Sequence, residues 1–369
     1  MRRLLWLTEN YPPNRGGMSQ SCDRIVYGLR QQGYMVHLVH FTNRESPDKY
    51  IALAAGSYLA VPVWENEAHT LMWAWKKLEG MANQWDGLVV FGGHLPILAA
   101  PVYAKWLNLP LVVFLRGNDF DSGIFSSRKR QFLSDALNAA QMVFSVSNRK
   151  LDLIKKLFPT VNFCYIPNGI DLTNWITTNQ EQSMAQKWKA DLASSKILAG
   201  CFGHLKAKKG IDLVLKAAVS PLIRDNYHFL LIGELETGLQ EQLTEAGLNY
   251  TLLPFKDRFE LITYYEACDV VLLPSYYDGM PNVLMEAGAL GCLILGAETD
   301  GIADVLQHEI NGLTFKPGDV NALREKLIQI YRMEFEDKIR FGQQLKETIY
   351  ENYTLAQEIG KYDEAFSKI

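Results

Sequence analysis

Long apolar runs are missing from this chain of 369 residues. None approaches the roughly 18 consecutive residues that a membrane-spanning helix needs. A basic pair, Arg2-Arg3, opens the chain, but the apolar stretch behind it, Leu4–Leu7, is too short for an export leader. Cysteine is scarce: the five present, at 22, 164, 201, 268 and 292, are scattered and never spaced Cys-x-x-Cys. That argues against a disulfide framework and a structural zinc site, and it fits a reducing cytoplasm. No Gly-x-Gly-x-x-Gly follows the first apolar run of either half, and no Walker A sequence occurs. A dinucleotide oxidoreductase is disfavoured on that ground. Hydrophobic residues at 48% and charged residues at 21% exclude low-complexity disorder, collagen and coiled coil.

The net charge of -4 is unevenly spread. Residues 1–168 hold 18 Lys+Arg against 12 Asp+Glu and carry +6; residues 169–369 hold 19 against 29 and carry -10. The first half could face something anionic, although chance variation in a solvated surface gives the same numbers.

Short apolar runs alternate with amphipathic stretches along the chain. In the first half the runs are 4–7, 36–41, 88–91, 111–115, 142–146 and 163–166, with helices expected near 18–32, 68–83, 95–107, 127–139 and 148–158. In the second half they are 197–202, 228–232, 250–255, 270–274, 292–296 and 313–315, with helices expected near 210–219, 237–246, 259–267, 282–290 and 319–333. Most runs are apolar at consecutive positions, which is how parallel strands buried on both faces read. The pattern predicts an α/β protein with two Rossmann-like, doubly wound parallel-sheet domains facing across a cleft. Pro167-Asn168-Gly169 is a breaker signal and sets the boundary: residues 1–167 form one domain and 168–351 the other. The tail is helical with a break near Asn352-Tyr353, and a final helix over about 352–369 could pack back on the first domain.

Ligands of open parallel sheets sit beyond the carboxyl ends of the strands. The stretch 274–291, Pro-Ser-Tyr-Tyr-Asp-Gly-Met-Pro-Asn-Val-Leu-Met-Glu-Ala-Gly-Ala-Leu-Gly, lies at such an end. Pro281 is placed to start a helix, which leaves the amides of Asn282 and Val283 as donors for an anion such as phosphate. Asp278 and Glu286 flank that start and can accept hydroxyl hydrogen bonds from a ribose or hexose. A capped helix with two solvated acids is the plainer reading of the same residues.

This stretch resembles the Glu-(seven residues)-Glu signature of retaining glycosyltransferases with the GT-B fold, the group 1 or family 4-like enzymes. The first acid is here Asp278, about 1.5 Å shorter in reach than glutamate. The resemblance implies that Asp278 with Gly279 and Met280 meets the donor sugar, that Pro281, Asn282 and Val283 meet the diphosphate, and that Glu286 binds the ribose. It extends along nearly the whole chain. Gly16 and Gly17, after the first strand, match the family's glycine-rich loop. Gly203-His204-Leu205-Lys206-Ala207-Lys208-Lys209-Gly210 matches its diphosphate clamp, with Lys209 in place of the family lysine and His204 in place of its arginine, so that position is charged only when protonated. Phe255 and Lys256 match its base contacts.

Arg116, Asn118 and Asp119, in Arg-Gly-Asn-Asp after the fourth run, match the acceptor side, and His94 lies beyond the third run. By resemblance the catalytic set is Asp278, Lys209, Arg116 and Asp119. Asp119-Phe120-Asp121 spells Asp-x-Asp, but the paired Rossmann-like halves point away from the metal-binding fold that uses it. No metal and no cofactor are expected, because amides, Lys209 and the helix dipole neutralise the leaving diphosphate. The expected reaction moves a hexose from a UDP-sugar, by default UDP-glucose, to a hydroxyl of a glycan or lipid-linked glycan. No nucleic-acid partner is implied.

Trp64, Trp73, Trp75 and Trp85, with Met72 and Met81, crowd one region. With the +6 half they suggest a peripheral surface for anionic lipid, the alternative being a core-packed helix. Two rival classes are an epimerase of double-Rossmann architecture and a non-enzymatic two-domain solute-binding protein. The first would convert donor without acceptor; the second usually needs export.

Overall fold

A computed structural model describes residues 2–81, 84–193 and 196–369, the side chains of Asn118, Ser122 and Ala193 excepted. The chain falls into two units, Met1–Pro167 with Glu358–Ile369, and Asn168–Gln357.

In the first unit the strands are β1 (Arg3–Thr8), β2 (Met35–Phe41), β3 (Tyr50–Leu53), β4 (Gly56–Val61), β5 (Gly87–Phe91), β6 (Leu111–Leu115), β7 (Met142–Ser145) and β8 (Phe163–Tyr165). Their order is β3-β4-β2-β1-β5-β6-β7-β8. All pairs are parallel except β3 with β4. The central strands are apolar throughout because helices cover both faces; Leu5, Trp6 and Leu7 of β1 are wholly buried. The helices are α1 (Gly17–Gln31), α2 (Glu67–Leu78), α3 (His94–Leu107), α4 (Asn118–Ile124), α5 (Ser127–Ala139) and α6 (Asn148–Leu157). Side chains of Asn66, Ser126 and Ser147 cap α2, α5 and α6.

The second unit holds β9 (Ile197–Leu205), β10 (Tyr227–Leu235), β11 (Tyr250–Leu253), β12 (Val270–Leu273), β13 (Ile294–Ala297) and β14 (Leu313–Phe315), in the order β11-β10-β9-β12-β13-β14 and all parallel. This is the dinucleotide-fold order 3-2-1-4-5-6, and it reverses between β9 and β12. Its helices are α7 (Asn179–Ala193), α8 (Ile211–Ala218), α9 (Pro221–Asn226), α10 (Leu239–Glu245), α11 (Arg258–Ala267), α12 (Asn282–Leu290), α13 (Asp300–Ala303), α14 (Val320–Arg332) and α15 (Phe335–Asn352). The last helix, α16 (Leu355–Ser367), belongs for most of its length to the first unit. There Glu358 accepts from Arg24 of α1 at 2.9 Å and Tyr362 stacks near Phe114.

Several elements escaped the pattern. The hairpin of β3 and β4 was not expected, nor were α4, α7 and α9. The strand expected over 250–255 stops at Leu253, and the helix expected over 68–83 ends at Leu78 with a 3-10 turn to Met81. Residues 82 and 83 lie outside the described residues. Among the described residues no helix is long and apolar enough to cross a membrane.

Candidate functional site

The reversal point of the second unit lies between β9 and β12. Past β9 the chain makes a 3-10 turn, Ala207–Lys209, and enters α8 through Gly210 at φ 73°. A Cβ at Gly210 would lie 2.0 Å from the carbonyl oxygen of Pro274, so only glycine lets the basic turn rest on the exit of β12. The backbone N–H of Tyr276 then donates to Lys208 O at 3.0 Å. This docking brings Lys209 Nζ to Asp278 Oδ2, where the two pair directly. Ser275 Oγ lies 3.5 Å from the same oxygen. Lys209 and Asp278 are far apart in sequence but form one cationic and anionic couple at the sheet's exit.

Beyond Asp278 the loop is fixed from two sides. Asn168 Nδ2 donates to Met280 O at 2.6 Å, and both residues are buried. Gly301, in α13, lies so close that a Cβ there would be 1.6 Å from Gly279 O. Helix α12 then starts at Asn282. Pro281 was expected inside the first turn; it stands one residue before it, with ψ 137°, because an extended residue must turn the loop into the helix. Pro281 has no side chain that could cap this start, and no acid occupies the helix's first turn. The positive end of α12 therefore carries no acid of its own beside the Lys209–Asp278 couple.

Glu286 follows one turn into α12, half-buried. Its Oε2 accepts from the Tyr265 hydroxyl at 2.8 Å. Tyr265 is wholly buried, and desolvation together with the Glu286 charge holds its pKa well above the usual range. Gly203, near the end of β9, has φ 101° and open space where a Cβ would stand. His204 Nδ1 is 3.1 Å from Glu234 Oε2 on the neighbouring strand, so its nearest charge is an acid. Phe255 and Lys256 leave the edge strand β11, two strands from β9 by way of β10, and Lys256 Nζ bonds Glu260 at 2.7 Å.

In the first unit the sheet order reverses between β1 and β5. Gly16, at φ 120°, is the N-cap of α1, and Gly17 is the helix's first residue. Asn14 ties this loop to Glu9 O at 2.8 Å and receives Thr42 Oγ1 at 3.2 Å. Glu9 itself accepts from the amides of Leu95 at 2.7 Å and His94 at 3.2 Å at the start of α3; burial raises its pKa against those bonds. Asp119 is engaged in the same way, by the amides of Arg116 at 3.2 Å and Gly93 at 3.4 Å, and burial raises its pKa too. Arg116 is buried, bonded to Tyr362 at 3.1 Å and set over the Phe91 ring at 5.2 Å.

His94 Nε2 lies 3.1 Å from Glu67, which also receives Arg128 at 3.0 Å. Asn118 opens α4, and its side chain lies outside the described residues. Asp121 pairs with the buried Lys150 at 2.5 Å, so the two acids of Asp-x-Asp serve different partners. In this unit the structure brings Arg116 and Asp119 together with Gly93 as an internal brace.

Most of the tryptophan cluster packs against the core. Trp85 is buried, Trp73 donates to Asp48 at 2.8 Å, Trp64 stacks on His69, and Trp75 lies against Tyr103 and Trp106. Met81 also packs against the core, and of the six residues Met72 is markedly exposed. This packing matches the alternative of a core-packed helix for Trp73, Trp75 and Trp85.

Sequence reasoning missed Tyr265, Glu9, Glu234 and Thr299. Thr299, the N-cap residue of α13, is buried, with its hydroxyl unpartnered among the described residues. None carries a motif signal. A tyrosine one turn before a strand was the only trace of Tyr265 in the sequence.

Comparison with known proteins adds family identity. The family "Glycosyl transferases group 1" matches residues 183–348, and "Glycosyltransferase Family 4" matches residues 15–174. A Bacillus subtilis relative named for teichuronic acid biosynthesis is 27% identical over 65% of this chain and 61% of its own length. A GDP-mannose-dependent mannosyltransferase of Corynebacterium glutamicum that acts on a monoacylated phosphatidylinositol monomannoside is 24% identical over 92% of this chain and 90% of its own. Among solved structures, sucrose-phosphate synthase from Thermosynechococcus elongatus matches with TM-score 0.85 at 16% identity, covering 100% of this chain and 99% of that one. HepE of Anabaena, in complex with UDP and glucose, matches with TM-score 0.80 at 16% identity over 100% of both chains. The fold is GT-B.

Proposed function

Because the chain belongs to the group 1, family 4-like glycosyltransferases, we propose that it moves a hexose from a nucleotide sugar to a hydroxyl of a glycan or lipid-linked glycan, with retention of configuration and without a metal. The observation that carries this reading is the Lys209–Asp278 couple at the β9/β12 exit, directly ahead of the start of α12. In the free protein the two side chains neutralise one another. A donor exchanges that pairing for two better ones. Its diphosphate takes Lys209 and the amides at 282–283, and its sugar hydroxyls take Asp278. Glu286 receives the ribose. The charge that grows on the leaving diphosphate meets a fixed cation and a helix dipole, which stabilises the transition state more than the ground state.

The donor is a UDP-sugar, with UDP-glucose our choice; the UDP and glucose held by HepE support it. The lipid substrate named for the Corynebacterium relative supports a lipid-linked acceptor. So does the surface of the first unit. Phe125 is 88% exposed, and Arg128, Lys129 and Arg130 follow in the first turn of α5, where the helix dipole disfavours cations. On α6, Leu153 and Leu157 are exposed next to Arg149, Lys155 and Lys156. Apolar side chains ringed by cations suit an anionic membrane surface at about 1 kcal/mol per basic residue.

The reading is tested with a panel of sugar nucleotides scored by thermal stabilisation, followed by turnover of Asp278→Ala. The donor that stabilises the protein should be turned over by the wild type and scarcely by the variant. Unchanged turnover in Asp278→Ala would remove the site assignment.

A further inference from the structure

Glu286 has a partner whose one polar side-chain group is spent on it. The Tyr265 side chain is wholly buried in the second unit. Its ring lies against Phe202 of β9, centroids 4.3 Å apart, and edge-on to Trp175 at 6.0 Å. Its backbone carbonyl receives Cys292 Sγ at 3.5 Å. Two aromatic neighbours and the anchored backbone therefore hold the residue before its hydroxyl is considered. That hydroxyl reaches out of the apolar layer to Glu286 Oε2 at 2.8 Å. A buried phenol must find an acceptor, and an ionised carboxylate is the strongest one available. The couple joins the end of α11 to the first turns of α12, and the Phe202 contact sets it beside the carboxyl end of β9, where the sheet order reverses.

A glutamate on a helix surface has three free torsions and would sample several rotamers. One charge-assisted bond from a ring that cannot move selects among them. A carboxylate oxygen with one bond made can still accept another. The arrangement suits a carboxylate that must present itself to vicinal hydroxyls in one orientation.

We infer that Tyr265 is a positioning residue: it holds the Glu286 carboxylate in the orientation that receives the ribose hydroxyls of the donor nucleotide, and so sets the preference for ribonucleotides over deoxyribonucleotides. This rests on the reading of Glu286 as the ribose ligand. Tyr265 touches no substrate. Its effect passes through Glu286, so removing its hydroxyl costs affinity only where a ribose hydroxyl is present to be read.

The experiment is a calorimetric comparison of UDP, GDP and ADP with their 2′-deoxy forms on the full chain, using wild type, Tyr265→Phe, Glu286→Gln and the double variant. Far-UV circular dichroism and thermal unfolding of each variant accompany the titrations. Wild type should favour one ribonucleotide over its deoxy form by about tenfold or more. Glu286→Gln should erase most of that ratio. Tyr265→Phe should lower it several-fold while leaving affinity for the deoxy form nearly unchanged, and should add nothing on the Glu286→Gln background. Global weakening of both forms by Tyr265→Phe would mark a merely structural role and overturn the inference. An undiminished ratio in Tyr265→Phe, with the ratio lost in Glu286→Gln, would overturn it as well while sparing the site assignment. An undiminished ratio in Glu286→Gln would remove Glu286 as ribose ligand and the inference with it. If none of the nucleotides bound wild type, the proposed function itself would fall. Should Tyr265→Phe unfold, Phe202→Leu, which loosens the seat of the ring and keeps the hydroxyl, should reduce the same ratio; a full ratio there would again contradict the inference.

Discussion

Replacing Gly301 by alanine puts a methyl group into the loop that carries Asp278. The new Cβ would lie 1.6 Å from Gly279 O, 2.4 Å from the Gly279 carbonyl carbon and 2.8 Å from Met280 N. All three are backbone atoms, so no rotamer change relieves the overlap. Ordinary contact begins near 3.5 Å, and the two segments must therefore part by roughly 1.5–2 Å. Asn168 anchors Met280 through a 2.6 Å bond, so the strain is passed along the loop to its neighbours, Asp278 and the start of α12. Overpacking of this kind costs about 1–3 kcal/mol of stability, which for a unit of this size lowers Tm by roughly 2–4 °C per kcal/mol. A catalytic group misplaced by about 1 Å loses on the order of 10²-fold in rate. Thermal unfolding and release of nucleoside diphosphate from the donor measure the two effects. Gly360→Ala is the control: its Cβ would meet nothing within 4 Å in the middle of α16, so it should raise stability by about 0.5–1 kcal/mol and leave turnover alone. Wild-type Tm and turnover in Gly301→Ala would refute the packing argument.

Other outcomes follow from the same structure. His40 is buried and its pKa is pushed down to about 4, chiefly by desolvation, so it is neutral in the fold. The unfolded chain takes up that proton near pH 6.5, so stability should fall as pH drops from about 6.5 to 4, by up to about 3 kcal/mol. His40→Leu, which also leaves the Tyr58 hydroxyl unmatched, should lower the plateau and flatten the slope in urea midpoints measured against pH; identical slopes would count against the assignment. Lys209→Ala should weaken diphosphate binding by about 1.5–3 kcal/mol, the range for hydrogen bonds to charged groups, and a loss below twofold would contradict the couple's role. Treatment with EDTA should leave turnover unchanged, and recovery only on adding Mg²⁺ or Mn²⁺ would reverse the metal-free reading. Charge reversal of Arg128, Lys129 and Arg130 should abolish salt-sensitive flotation with phosphatidylglycerol vesicles, while persistence of flotation would clear this face of the role.

The sheet-forming runs could be read from sequence because both faces of the central strands are buried, which leaves nearly continuous apolar residues from Leu4 to Leu7 and from Val270 to Leu273. The pair β3 and β4 could not. Residues of β3 are exposed along its whole length, and its alanine- and leucine-rich run into Gly56 has no strand signature. Helix α7 buries only a thin stripe, Ala185 with Trp188 and Leu192, between polar residues, so its period was easy to miss.

At the site, Lys209 and Asp278 were legible because each sits in a dense local motif. Their pairing was not, since it depends on Gly210 resting on Pro274. His204 shows the limit of reading charge from sequence, because its neighbour Glu234 comes from the next strand. Arg116 and Asp119 were read as residues of an acceptor pocket. Their partners are Tyr362, Phe91 and two backbone amides, contacts set by tertiary packing that a single sequence does not display.

The central claim is that the second unit grips a nucleotide by its diphosphate at the β9/β12 exit. The most direct measurement is isothermal titration of UDP, GDP and ADP into the intact protein, each against its nucleoside monophosphate. The account predicts that at least one diphosphate binds and that the loss of its terminal phosphate weakens binding by about tenfold or more. Heats indistinguishable from dilution for all three, or equal affinity for mono- and diphosphate, would contradict it.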